Sequence, residues 1–220
     1  IIYVIGIVLA ILCAKLLRKH GSEIGISTAY SIYDEAEQED VVKQAMSTLG
    51  LSTRDYKPRS VLGAISSAKN ELIGPTEYPQ YARGHWQKAV ASIYLSYQKL
   101  LRKYEALDFD DLLMDTVRLF QRVPSILKIY QDRFRYVLVD EYQDTNHAQY
   151  VLTKQFSGRW RNLSCVGDAA QCVPSGTTII TAHGQKKIED LRPGDLVFSA
   201  SGRGRSGYFA VKKIFERKHS

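Results

Sequence analysis

Two hundred and twenty residues, 45% of them apolar, suffice for one large or two small domains with real cores, and a 24% charged content argues against a disordered chain. The net charge of +7 and pI near 9.2 suit a polyanionic partner, through counterion release from phosphates, without requiring one. Cys13, Cys165 and Cys172 are odd in number and lack CxxC or Cys/His spacing, which argues against structural zinc and for a reducing, cytoplasmic compartment.

The chain opens on Ile rather than Met, so it reads as a fragment or an incomplete product. Ile1 to Leu12 is uncharged and mostly aliphatic, and Lys15, Arg18 and Lys19 follow it. A membrane span needs roughly 18 to 20 apolar residues, and a cleavable signal places its cations before the apolar run. Three readings stay open: a truncated buried strand and helix, a replaced upstream segment, or a membrane tether over residues 1–17. The acids of Ser31 to Gln38 mark a helix start, since they favour the positive end of a helix dipole. Val41, Val42, Ala45, Met46 and Leu49 then give one apolar face as far as Gly50. Lys57-Pro58-Arg59-Ser60 is a break before a second helix over Val61–Leu72, and Gly74 to Pro79 is a loop.

Between Tyr81 and Glu105, five aromatics (Tyr81, Trp86, Tyr94, Tyr97, Tyr104) interleave with Arg83, Lys88, Lys99, Arg102 and Lys103. They pack helices, or they stack on unpaired bases while the cations meet phosphates. Ala106 to Leu113 carries Asp108, Asp110 and Asp111, of which Asp108 and Asp111 share a helix face; capping is the expected role, ahead of metal binding. Pro124 breaks the helix that follows, and Ile126 to Phe134 leads into Tyr136-Val137-Leu138-Val139. That apolar run reads as a buried parallel strand delivering Asp140 and Glu141 to the carboxyl edge of a sheet, where such folds bind ligands. An Asp there suits a hydrated Mg²⁺, which needs few protein carboxylates, and the next acid can polarise an attacking water. Asp144-Thr145-Asn146 holds the N-cap of the next helix.

Asp140-Glu141-Tyr142-Gln143-Asp144-Thr145-Asn146, then Ala148-Gln149-Tyr150, then Val166-Gly167-Asp168-x-x-Gln171 resembles the superfamily 1A DNA helicases of the UvrD/Rep type. Lys69 to Ile73 and Ala106 to Leu113 are similar to further segments of that family. The resemblance implies an α/β fold, a partial RecA-like P-loop NTPase domain with a helical 1B insertion. It implies ATP and Mg as cofactors and single-stranded and duplex DNA as partners. It also implies Asp140 as Mg²⁺ ligand, Glu141 as the base for hydrolysis and Gln171 as the γ-phosphate contact. Where the family carries Thr-Phe-His, this chain has Val8-Leu9-Ala10, so a DNA-contact motif is altered and residues 1–12 stand apart. No GxxxxGK(S/T) occurs in these residues.

After Gln171 the family pattern breaks. Cys172, a Thr five residues on, a strand over Thr178–Thr181, a turn at His183-Gly184-Gln185 and Ile188-x-Asp190-Leu191-x-x-Gly194-Asp195-x-Val197 follow, short strands and turns of an all-β module. They resemble the opening of an intein, the self-splicing Hint domain. The resemblance makes Cys172 the splicing nucleophile, its thiol attacking the Gln171 carbonyl. The later TxxH and His-Asn blocks of inteins do not occur in these residues. Gly202 to Gly207 is a flexible basic loop or a nucleic-acid tail.

The expected domains are therefore 1–30 as a remnant of helicase domain 1A, 31–105 as helical 1B, 106–171 as the return to 1A, and 172–220 as a partial Hint module. The remainder of the helicase and of the intein are the implied protein partners, and no membrane is expected. A non-catalytic DNA-binding module and a membrane-tethered protein are the alternatives.

Overall fold

Residues 2–4, 6–167, 176–201 and 205–211 are described by the structure, a computed structural model. The chain divides into two units, Ile1–Val166 and Gly167–Ser220; the expected boundary at 171/172 lies outside the described residues.

The first unit begins with β1 (Ile2–Val4) and α1 (Gly6–His20). Leu9, Ala10, Cys13, Ala14, Leu16 and Leu17 recur at helical spacing and are buried, while Ile7, Val8 and Ile11 face outward. Arg18, Lys19 and His20 close the helix at its negative end. The segment is thus a short strand followed by a helix buried along one face, and among the described residues no helix is long and apolar enough to cross a membrane.

After β2 (Ser31–Ile32), Asp34 caps α2 (Glu35–Thr48) in a reciprocal capping box with Glu37. α3 (Pro58–Asn70) starts on Pro58, whose missing N–H costs nothing in a first turn. It stops two residues short of the expected Leu72, which instead takes a left-handed backbone, φ +60°. α4 (His85–Lys103) and β3 (Ala106–Leu107) follow. Asp108 caps α5 (Phe109–Arg122) with Asp111 as its capping-box partner, as the spacing predicts. Pro124 ends α5 only by opening a new helix, α6 (Pro124–Arg133). β4 (Val137–Val139), α7 (His147–Ser157) capped by Asn146, and β5 (Leu163–Cys165) complete the unit.

β1, β4 and β5 form a parallel sheet in the order β1-β4-β5, with Val137 opposite Ile2 and Leu163 and Val139 opposite Val4 and Cys165. The buried side chains gather into two clusters. One joins α1, α5, α6, α7 and β4. The other joins α2, α3 and α4 around Val42, Met46, Ile65, Tyr94 and Tyr97. Parallel pairing of β2 with β3 ties the segment's departure at Ser31 to its return at Ala106.

The described residues of the second unit are mostly strand, with one short 3-10 turn at Ile188–Asp190. β6 (Thr178–Thr181), β7 (Gly184–Lys187), β8 (Leu196–Ser201) and β9 (Arg205–Ala210) form an antiparallel sheet in the order β7-β6-β8-β9. The turn between β6 and β7 falls on Ala182 and His183. Gly184, φ +113°, begins β7 in a conformation that favours glycine. Lys186 bridges to Asp195 at 2.9 Å.

Candidate functional site

β4 lies between two parallel neighbours with Val137 and Val139 buried, so its carboxyl end is fixed from both sides. Asp140 leaves that end half-buried, and Glu141 follows it exposed to solvent. The Asp140 carboxylate accepts the Glu141 N–H at 3.0 Å, and the Glu141 carboxylate accepts from the Gln143 side-chain amide at 2.7 Å. The strand after α7 returns to the same edge. Val166 donates its N–H to the Val139 carbonyl at 2.8 Å, and its own carbonyl accepts the Tyr142 N–H at 3.1 Å. The start of the Val166-Gly167 segment and the Asp140-Glu141 pair are therefore laced together by backbone hydrogen bonds. Asp168, Gln171 and Cys172 lie outside the described residues.

Glu141 has φ +52° and ψ +43°, a left-handed backbone for a residue with a long side chain. Such a conformation costs roughly 1–3 kcal/mol and persists where the surroundings over-determine it, often at functional sites. Nothing in the sequence signals it. Its effect is to turn the chain sharply off the strand so that two consecutive carboxylates stand at the sheet edge.

The donor set suits a hydrated ion. Among the described residues there is no group of three or more His, Cys, Asp or Glu able to hold a metal unaided. A single half-buried carboxylate at a strand end matches Mg²⁺, which keeps several waters and takes phosphate oxygens alongside one or two protein ligands.

A second polar cluster sits where α3, α4 and α5 meet. The Lys69 ammonium is fully buried, 2.5 Å from Asp108 and 2.8 Å from Asp111. Tyr97 donates its hydroxyl to Asp108 at 2.9 Å, and Gln98 donates to Asp111. Arg102 and Arg118 clamp Asp115 at 2.5 and 3.1 Å. Burial opposes the Lys69 charge, but the two facing carboxylates outweigh it and raise its pKa. Burial, with the neighbouring Asp111 charge, lifts Asp108 to about 6 despite Lys69. Burial also works against the Asp111 carboxylate, yet Lys69 and Arg102 hold its pKa below the usual range. Removing one partner of such a buried pair typically costs about 3–5 kcal/mol. Asp108 and Asp111 cap α5, as expected, but Lys69 escaped the sequence reading because a lysine in a helix's last turn ordinarily points into water.

The interleaved aromatics divide. Tyr94 and Tyr97 are core residues around Lys69, whereas Tyr81, Trp86 and Tyr104 are exposed. Tyr104 donates its hydroxyl to Gln44 at 2.8 Å.

Known proteins match this chain over its first three quarters. Residues 7–174 match the UvrD/REP helicase N-terminal domain family. The chain is 48% identical over 162 residues to the ATP-dependent DNA helicase PcrA of Bacillus subtilis, covering 74% of this chain and 22% of that protein. The PcrA proteins of Staphylococcus aureus and Staphylococcus epidermidis are each 42% identical over 162 residues, with the same coverage. The chain thus spans about a fifth of the length of these relatives.

Proposed function

Since the chain belongs to the UvrD/REP helicase N-terminal domain family, we propose that residues 13–171 are the middle of the first ATP-binding domain of a DNA helicase. Residues 31–105 serve as its helical 1B insertion, and residues 172–220 as the opening of an intein. The whole enzyme hydrolyses ATP to move along single-stranded DNA and separate the duplex. The observation that supports this reading best is the backbone lacing of Val166 to Val139 and Tyr142, which sets the start of the second motif beside Asp140 and Glu141 at a parallel sheet's carboxyl edge.

In this reading Asp140 holds Mg²⁺, Glu141 takes a proton from the attacking water, and Gln171 contacts the terminal phosphate. The ion, when bound with nucleotide, neutralises charge on the phosphate oxygens. Phosphoryl transfer depends on positioning and charge stabilisation, and these 220 residues contain no phosphate-loop motif. The isolated polypeptide is accordingly expected to hydrolyse no ATP. In the complete helicase, Glu141→Gln is expected to lower DNA-stimulated ATP hydrolysis by about 10²- to 10⁴-fold while leaving DNA binding intact, the range typical of a lost general base. Steady-state hydrolysis with and without single-stranded DNA measures this, and an unchanged turnover rules out Glu141 as the base.

The family match ends at residue 174, two residues past Cys172. The proposed splicing step forms a bond between the Cys172 sulfur and the Gln171 carbonyl carbon, breaks the amide between them and leaves the Cys172 nitrogen as an amine. Later intein blocks are missing from these residues, so no ligated product is expected. Incubation with dithiothreitol, whose thiol displaces Cys172 from the thioester, is expected to yield 1–171 and 172–220, with no cleavage in Cys172→Ala. Mass spectrometry reads both fragments, and cleavage in both proteins or in neither removes the nucleophile assignment.

A further inference from the structure

The loop that carries Asp140 and Glu141 runs from the end of β4 to the first turn of α7. Its sheet end is held by the Val139, Val166 and Tyr142 backbone bonds. Its helix end is held by Asn146. That side chain does two things at once: its oxygen accepts the Gln149 N–H at 2.9 Å, capping α7, and its amide donates to the Asn70 side-chain oxygen at 2.7 Å. Asn70 is the last residue of α3, 76 positions away in sequence. The residue before it, Lys69, is locked between Asp108 and Asp111 of the cap of α5. Successive helical side chains point about 100° apart. One helix end therefore grips α5 with Lys69 and α7 with Asn70, and α3 itself belongs to the cluster built by α2 and α4.

A left-handed glutamate needs its surroundings to hold it. We propose that Asn70 is a positioning residue for the carboxylate pair: its bond to Asn146 fixes the far end of the loop and keeps Glu141 in its left-handed backbone, coupling the α2–α4 layer to the Asp140-Glu141 edge. The word positioning rests on the nucleotide reading above; the mechanical coupling does not.

The chemistry of the pair supplies a test on the whole 220-residue chain. Asn70→Asp keeps an acceptor for the Asn146 amide. Asn146→Asp keeps the cap, and the Asn70 amide can turn over and donate to the new carboxylate. Asn70→Asp with Asn146→Asp leaves two carboxylates facing each other with no donor between them. Amide hydrogen exchange at Tyr142, Asp144 and Thr145, all hydrogen-bonded in the loop, is read by NMR at pH 7. Each single aspartate is expected to stay within about threefold of the parent. The double variant is expected to exchange roughly tenfold faster or more at these amides, the scale of one lost hydrogen bond, with amides of α2 unchanged. If Asn70 and Asn146 only finish their own helices, the double effect equals the product of the singles, and the proposal is overturned. Should the double variant fail to fold, Asn70→Leu removes the acceptor without adding charge. Faster loop exchange in Asn70→Leu than in Asn70→Asp supports the coupling, and equal rates overturn it. No nucleotide enters the measurement, so a helicase with an inactive Asp140-Glu141 pair would defeat the functional reading alone, and an additive cycle would defeat this one alone.

Discussion

Asp108 carries three duties at once: it caps α5, accepts the Tyr97 hydroxyl and faces the Lys69 ammonium. Its environment includes Lys69 from α3, Tyr97 and Arg102 from α4, and Asp110 and Asp111 from its own helix. Burial and Asp111 win over Lys69, and the folded pKa rises from 3.8 to about 6. The folded state therefore binds more protons than the unfolded one between those values. The resulting stability is fully present below about 4 and is lost as pH rises through about 6. Asp111 has the opposite sign, its pKa being lowered, and acts below about 4. For Asp108 alone, unfolding free energy is expected to be about 2 kcal/mol greater at pH 4.5 than at pH 6.5, taking ~1.4 kcal/mol per pKa unit. Asn is as good a cap as Asp, so Asp108→Asn keeps α5 and removes the titration. Urea unfolding at the two pH values checks this: the parent and Asp108→Asn should differ in slope between pH 4.5 and 6.5, and parallel slopes would show that Asp108 titrates elsewhere.

Elements whose causes are local could be read in the residues before any coordinates. α2, α5 and α7 announce themselves through Asp34, Asp108 and Asn146 with partners three residues on, and through apolar spacing that needs no distant information. The strand ending at Asp140 was legible for the same reason. What escaped was set by long-range contact. β2 and β3 are two residues each and exist only because they pair across 75 positions; no pattern of length two carries that. Lys69 needed α5 to become a core residue, and the left-handed turn at Glu141 needed both ends of its loop fixed. α1 is an intermediate case, since an apolar run does not say which face is buried. The structure does: Leu9 and Leu17 are inside, Ile7 and Ile11 outside. Leu17→Ala is expected to destabilise the chain by about 2–5 kcal/mol, and Ile11→Lys to change stability by less than about 0.5 kcal/mol. Chemical denaturation of both variants measures the difference, and a membrane-seeking helix would show the reverse order of sensitivity in detergent partition.

At the scale of the whole chain, 30 Lys and Arg outnumber 23 Asp and Glu, and the surplus is not spread evenly among duties. Lys69 is sealed in the interior, and Arg102 and Arg118 are committed to Asp115. Lys43 and Arg59 share Glu39, Arg159 meets Asp132, and Lys186 meets Asp195. Surface pairs of that kind are weak, about 0–1 kcal/mol each, so their cations can exchange a carboxylate for a phosphate at little cost, whereas the buried Lys69 and the two arginines on the buried Asp115 carboxylate cannot. Polyanion binding by this chain should accordingly be electrostatic, sequence-independent and carried by the exposed cations. If about four of them meet phosphates, the logarithm of affinity for single-stranded DNA falls with the logarithm of salt at a slope of roughly −3, a loss of about fiftyfold between 50 and 200 mM. Fluorescence anisotropy of a labelled homopolymer across that salt range measures the slope. Conversion of exposed Lys88 and Lys99 to Gln is expected to flatten it by about one unit if both lie on the path of the strand. A slope near zero would mean that the positive balance serves solubility rather than polyanion binding.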